Sequence, residues 1–229
     1  MQQFKNTHLF ILLSVVLLFA VACKKADHSY VNYENKLGIY NGNTFQYLKD
    51  QPGGVYDSLL KALDRCPDLV NVLSKDSVTL FALTNKSFVL SLRNINLARQ
   101  DSVPSMPNLN LSNIDQQILQ TYLARYILIG VYPSRELLRA SDGYAVPCVL
   151  YNYPMKIQYA SSNASGFLGG GPRSILFSDR NGSQFSSNWV SVNTITVDIK
   201  TNNASVNILP ETHDFGFGVG FIQKVNSIK

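Results

Sequence analysis

Apolar positions recur along this chain in two rhythms, a helical one in the first half and an extended one in the second. Val55, Leu59, Leu60 and Leu63 share one helical face. Before them, a helix is predicted from Thr44, capped by Asn43 and stopped at Pro52-Gly53-Gly54. Pro67 suits the first turn of a third helix carrying Leu69, Val70 and Leu73. Ser77–Ala82 is β-branched and aromatic and predicts a buried strand. Helix is expected over Asn85–Leu92, then about twenty residues of loop with Pro104 and Pro107. Ser112-Asn113-Ile114-Asp115 resembles a capping box, and Ile114, Ile118, Leu119, Tyr122 and Leu123 follow at helical spacing. Ile127–Tyr132 is β-prone, and Pro133-Ser134 opens a short helix over Leu137-Leu138. Strands are predicted at 144–151, 153–160, 173–178, 189–200 and 204–209, with 161–172 a glycine-rich loop. Helices first and strands later indicate an α+β fold rather than βαβ alternation.

The first residues follow a different pattern. Leu9–Ala22 is apolar except for Ser14, and Lys5 and His8 precede it. The run matches a signal-peptide core and falls short of the roughly 20 residues a spanning helix needs. It ends Phe19-Ala20-Val21-Ala22-Cys23, which looks like a bacterial lipobox with Ala20 in place of the usual Leu. Residues 1–22 are therefore expected to be a cleaved signal peptide and Cys23 the lipidated residue. Two or more acyl chains hold a protein at a bilayer where one does so only marginally. Lys24 after the cysteine, in place of Asp, favours the outer membrane of a bacterial envelope over the inner. Residues 23–43 are read as the lipidated N-terminus and a polar tether, and 44–229 as one domain.

Composition narrows the function classes. The formal net charge of +5 is scattered, with no basic block interleaved with aromatics, so nucleic-acid binding is not indicated. Cys66 and Cys148 could bridge in an oxidising compartment or remain two buried thiols.

Thr79-Leu80-Phe81-Ala82-Leu83-Thr84-Asn85-Lys86-Ser87-Phe88 resembles the first signature of fasciclin (FAS1) domains, T-V-F-A-P-T-N-x-A-F. Thr84 and Asn85 are expected to cap the helix that follows. Tyr56–Leu63 looks like the family's opening helix, and Leu123–Tyr132 with Leu137-Leu138 like its Y-H segment and next helix. Asp198–Leu209 resembles the closing D-I-x-T-x-N-G-V-x-H-V-L. Four positions depart: Leu83 stands for proline, Ile127 for the Y-H histidine, Ala204 for glycine and Asn207 for the second histidine. Extra loops are expected near 93–112 and 161–188. The resemblance implies a FAS1-like β-sandwich or wedge with several helices packed on it, used for adhesion or binding without common catalysis.

Candidate chemistry is sparse. His28 falls in the tether, and His213-Asp214 has no nucleophile motif with it, so His213 reads as a structural hydrogen-bonder. No metal-ligand spacing is present, and no cofactor is implied. Ser178–Gly182 reads as a turn, with Asn181-Gly182 suited to a two-residue hairpin. Gly216-Phe217-Gly218-Val219-Gly220 lacks a βαβ context and reads as a glycine-alternating last strand without a helix after it. Tyr151, Tyr153 and Trp189, with Tyr144 and Tyr159, either fill the core or form an exposed platform for sugar rings. Asp101-Ser102-Val103 resembles an envelope O-glycosylation sequon, as do two other Asp-Ser-apolar triplets. The expected function is a non-catalytic adhesion or ligand-binding lipoprotein, held to a membrane by its lipid and engaging an envelope protein or polysaccharide. The alternatives are a hydrolase on an altered scaffold and a structural envelope component.

Overall fold

The computed structural model describes residues 38–102, 104–163 and 170–227. The chain divides into Met1–Tyr33 and Glu34–Lys229, and every described residue lies in the second unit. The expected signal peptide, Cys23, His28 and most of the expected tether lie outside the described residues.

Helix α1 (Thr44–Lys49) begins in a capping box, with Asn43 Oδ1 accepting from Gln46 N and Gln46 Oε1 from Asn43 N. A 3-10 turn over Pro52–Gly54 leads to α2 (Asp57–Asp64), and Pro67 occupies the first turn of α3 (Pro67–Lys75). Strand β1 (Val78–Ala82) is buried along its whole length. Helix α4 (Asn85–Ser102) is ten residues longer than its sequence pattern suggests. Phe88, Ser91, Ile95 and Arg99 form its buried stripe, and two polar members hide the period. Much of the expected loop near 93–112 is thus helix.

The following segment is pinned to α4. Asn96 exchanges two hydrogen bonds with the Leu109 backbone, and Arg99 Nε donates to Pro107 O. Helix α5 (Gln116–Ala124) starts later than the Ser112 box implies, because Asp115 Oδ1 accepts from Ile118 N. Strand β2 (Ile127–Ile129) and short helix α6 (Ser134–Leu137) come next. Then follow β3 (Tyr144–Pro147), β4 (Pro154–Ser161), β5 (Arg173–Asp179), β6 (Val190–Asn193), β7 (Thr196–Lys200), β8 (Ala204–Ile208) and α7 (Val219–Asn226).

Two four-stranded sheets result, ordered β2-β1-β8-β7 and β3-β4-β5-β6. The α+β class is as expected, but the 189–200 run is two strands in different sheets. β6 pairs antiparallel with β5, and β7 with β8. Thr194 N donates to Ile175 O and Ile195 N to Ile208 O, so the chain changes sheets between adjacent residues. The 161–188 stretch contains β5, which leaves connections at 162–172 and 180–189. Asn181 (φ 47°) and Gly182 (φ 69°) are both left-handed, as a tight turn requires, yet β5 and β6 are joined by 180–189 and not by a two-residue hairpin.

The glycine run is also not a strand. Gly216 (φ 90°), Phe217 (φ 60°) and Gly218 (φ 82°) turn the chain into α7, with Gly218 as its N-cap. A Cβ on Gly216 would lie 2.3 Å from the Phe221 ring, so only glycine fits there. The end of the expected tether adds to the sheet: Ile39 bridges Lys200 in parallel, Lys200 N donates to Gly38 O, and Tyr40 N donates to Lys200 O.

Phe81 of β1 stacks on Phe177 of β5, ring centroids 3.8 Å apart, and ties the two sheets together. The opposite face of the first sheet, carrying Leu80, Ala82 and Val206, belongs to the same buried core as Leu63, Leu69 and Leu73 of the helices.

Candidate functional site

Three of the four segments resembling FAS1 signatures come together in one sheet, while the fourth forms helix α2. β1 lies between β2 antiparallel and β8 parallel, with Thr79 opposite Leu128 on one side and Ser205 on the other. The four departing positions are all buried: Leu83, Ile127, Ala204 and Asn207 are each at most 3 % exposed. Asn207 Oδ1 accepts from Asp198 N across the bulge in β7, a link within the sheet. Asn85 does not cap its own helix. Its Oδ1 accepts from Ser58 N and its Nδ2 donates to Gly54 O, which fastens the start of α2 to the start of α4. Thr84 Oγ1 has no partner. Asn203 has a similar joining role. Its Oδ1 accepts from Thr44 N and Oγ1, and its Nδ2 donates to Leu73 O and Asp76 O.

His213 sits 7 % exposed, edge-on to Phe217, with Nε2 2.9 Å from the Tyr126 hydroxyl. That hydroxyl also accepts from Gly216 N at 3.0 Å, which leaves its proton for His213. Burial lowers the His213 pKa to about 4 and raises that of Tyr126 well above the usual phenol value. A neutral imidazole accepting through Nε2 carries its proton on Nδ1. Asp214 hydrogen-bonds Asn94 at 3.1 Å, and burial raises its pKa. The partners of His213 and Asp214 therefore diverge, where an acid–base relay needs them to converge on one hydroxyl.

A second buried cluster was invisible in the sequence. Asp179, fully buried, accepts from Arg125 Nη1 (2.6 Å), Tyr153 OH (2.6 Å) and Asn181 N (2.8 Å). The Arg125 guanidinium lies 4.0 Å from the Tyr122 ring centroid and 4.2 Å from that of Tyr153. Burial, then the bond to Asp179, pushes the Tyr153 pKa up to about 12. Three donors satisfy the carboxylate, so the charge is tolerated away from water. Nothing in the sequence linked Arg125 to the turn at 179–182.

The aromatic candidates do not act as one surface. Tyr153 is committed to Arg125 and Asp179. Trp189 Nε1 donates to Ser183 O, with Lys156 and Arg180 5.5 and 5.3 Å from its ring. Tyr151 is 40 % exposed, while Tyr144 and Tyr159 pack half-buried against the core. Cys66 and Cys148 are free and buried, and burial raises both thiols, Cys66 to about 11. Among the described residues no group of three or more His, Cys, Asp or Glu could hold a metal ion, and no helix is long and apolar enough to cross a membrane.

No protein-family model matches this chain, and no curated protein does. Among solved structures it is similar to a FAS1 domain pair from the insect cell adhesion molecule fasciclin I. That similarity has 16 % identity and a TM-score of 0.44, over 70 % of this chain and 45 % of that one. The chain thus spans less than half the length of that neighbour.

Proposed function

We propose that this protein is a FAS1-type adhesion or ligand-binding module, held at a bacterial membrane by lipid on Cys23 and acting without catalysis. The observation that carries the reading is the sheet itself. Three segments chosen for their resemblance, spread between Thr79 and Leu209, are neighbouring strands β2, β1 and β8 in register. Their shared residues hold elements together: Asn85 joins two helices, Asn203 joins two helices to a turn, and Tyr126 anchors the C-terminal segment. Signature residues used as joints describe a rigid scaffold that presents its surface. A domain that binds without turnover needs no more chemistry than this, and an outer-membrane lipid anchor would place it where envelope polysaccharides and proteins are met.

The test is binding of the full chain to a panel of envelope polysaccharides and proteins, with recovery of the ligand. Saturable binding with the ligand recovered intact is expected. Release of cleaved ligand would favour the hydrolase reading and overturn this one.

A further inference from the structure

A cleft of about 400 Å³ opens where the β7–β8 turn meets the 131–135 connection. Its size falls within the roughly 300–1,000 Å³ of small-ligand sites. Val131 and Pro133 give it an apolar wall, and Arg135 and Lys200 line it with two cations. The ion pairs among the described residues are Lys86–Glu211 and Arg125–Asp179, so both cleft cations are uncompensated by a salt bridge. Asp198 also lines the cleft, but its carboxylate accepts from Ser134 N at 2.7 Å and from the Ser134 hydroxyl. Two cations against one engaged carboxylate leave the lining net positive.

The independent sign of a ligand is Ser205. It lines the same cleft, is 4 % exposed, and its hydroxyl meets no protein partner. A buried hydroxyl left unpaired costs free energy that a bound polar group would recover. A fitting ligand therefore has an anionic group for the cations, a hydroxyl or ring oxygen for Ser205, and an apolar face for Val131 and Pro133. A carboxylated sugar combines all three.

We propose that this cleft binds a uronic-acid sugar, with its carboxylate at Arg135 and Lys200 and a hydroxyl at Ser205. The inference rests on the binding-module reading and names the ligand class for one site on it.

The test is a titration of the full chain with glucuronate, its methyl glycoside, glucose and glucosamine, followed by amide chemical-shift changes. Glucuronate is expected to saturate with a Kd on the order of 1 mM, shifting amides of 131–135 and 198–205. The methyl glycoside separates a polymer residue from a free acid: equal binding favours the polymer, and loss of binding favours the free acid, with the site standing in both cases. Glucose and glucosamine should bind at least tenfold more weakly, as should glucuronate to the Arg135→Met/Lys200→Met double variant. Ser205→Ala should weaken glucuronate binding while leaving stability unchanged or higher, a split that a merely structural serine would not give. Glucose binding as well as glucuronate, shifts elsewhere on the protein, or no saturation would overturn the site. The polysaccharide and protein panel would still decide the module reading separately.

Discussion

His213 gives the clearest consequence at the scale of single residues. Burial holds its folded pKa near 4, below the ordinary 6.5, so the unfolded chain binds the extra proton first. Its contribution is fully present above about pH 6.5 and is lost as pH falls toward 4, a change on the order of 3 kcal/mol. Asp214 acts in the opposite sense, because its raised pKa makes the folded state hold the proton longer as pH rises above the carboxylate range. Denaturant unfolding from pH 7 to 4 should show the wild type losing stability more steeply than His213→Asn; parallel curves would contradict the buried neutral histidine. Tyr126→Phe removes the hydroxyl shared by His213 and Gly216 and should cost about 1–3 kcal/mol. Calorimetry reads it directly, and no change would mean the hydroxyl is dispensable. Cys66 and Cys148 should resist alkylation in the native state and react after denaturation, because each is buried and unbridged.

At the scale of elements, joints between segments matter more than the segments' own propensities. Asn203→Ala would leave Thr44 N, Leu73 O and Asp76 O without their partner and should cost about 2–3 kcal/mol. An unfolding midpoint unchanged by that substitution would sink the idea that the β7–β8 turn locks α1 and α3. Much of this level was legible in the sequence. Asn43, Pro67 and the Val78–Ala82 run carry local signals that the structure obeys. The misreadings share a physical cause, since each depended on a distant partner. Helix α4 continues because Ile95 and Arg99 face the core, and Arg99 reads as polar until its partners at Pro107 and Asn226 are known. The 189–200 run divides because Thr194 and Ile195 pair with different sheets. The glycine run becomes a helix start because Phe221 packs onto Gly216. The cleft at Arg135, Lys200 and Ser205 could not be read at all, for Arg135 lies far along the chain from the Lys200–Ser205 turn.

At the scale of the whole domain, aromatic rings join the two sheets, with Phe177 of β5 against Phe81 and Tyr126. Phe81→Ala removes the ring stacked on Phe177 and should cost about 3–5 kcal/mol, read as a lowered denaturation midpoint. A loss below about 1 kcal/mol would mean these rings repack freely. The scaffold so held is the proposed binding surface, and its proposed working place is set by an anchor at Cys23. Gly38–Tyr40, at the end of the expected tether, are held by the edge of β7 through Lys200. The most direct measurement is intact mass spectrometry of the chain extracted from membranes of the cell that makes it. A protein that begins at Cys23 and carries the added mass of its acyl chains is expected. A chain that still begins at Met1, or an unmodified Cys23, would contradict it.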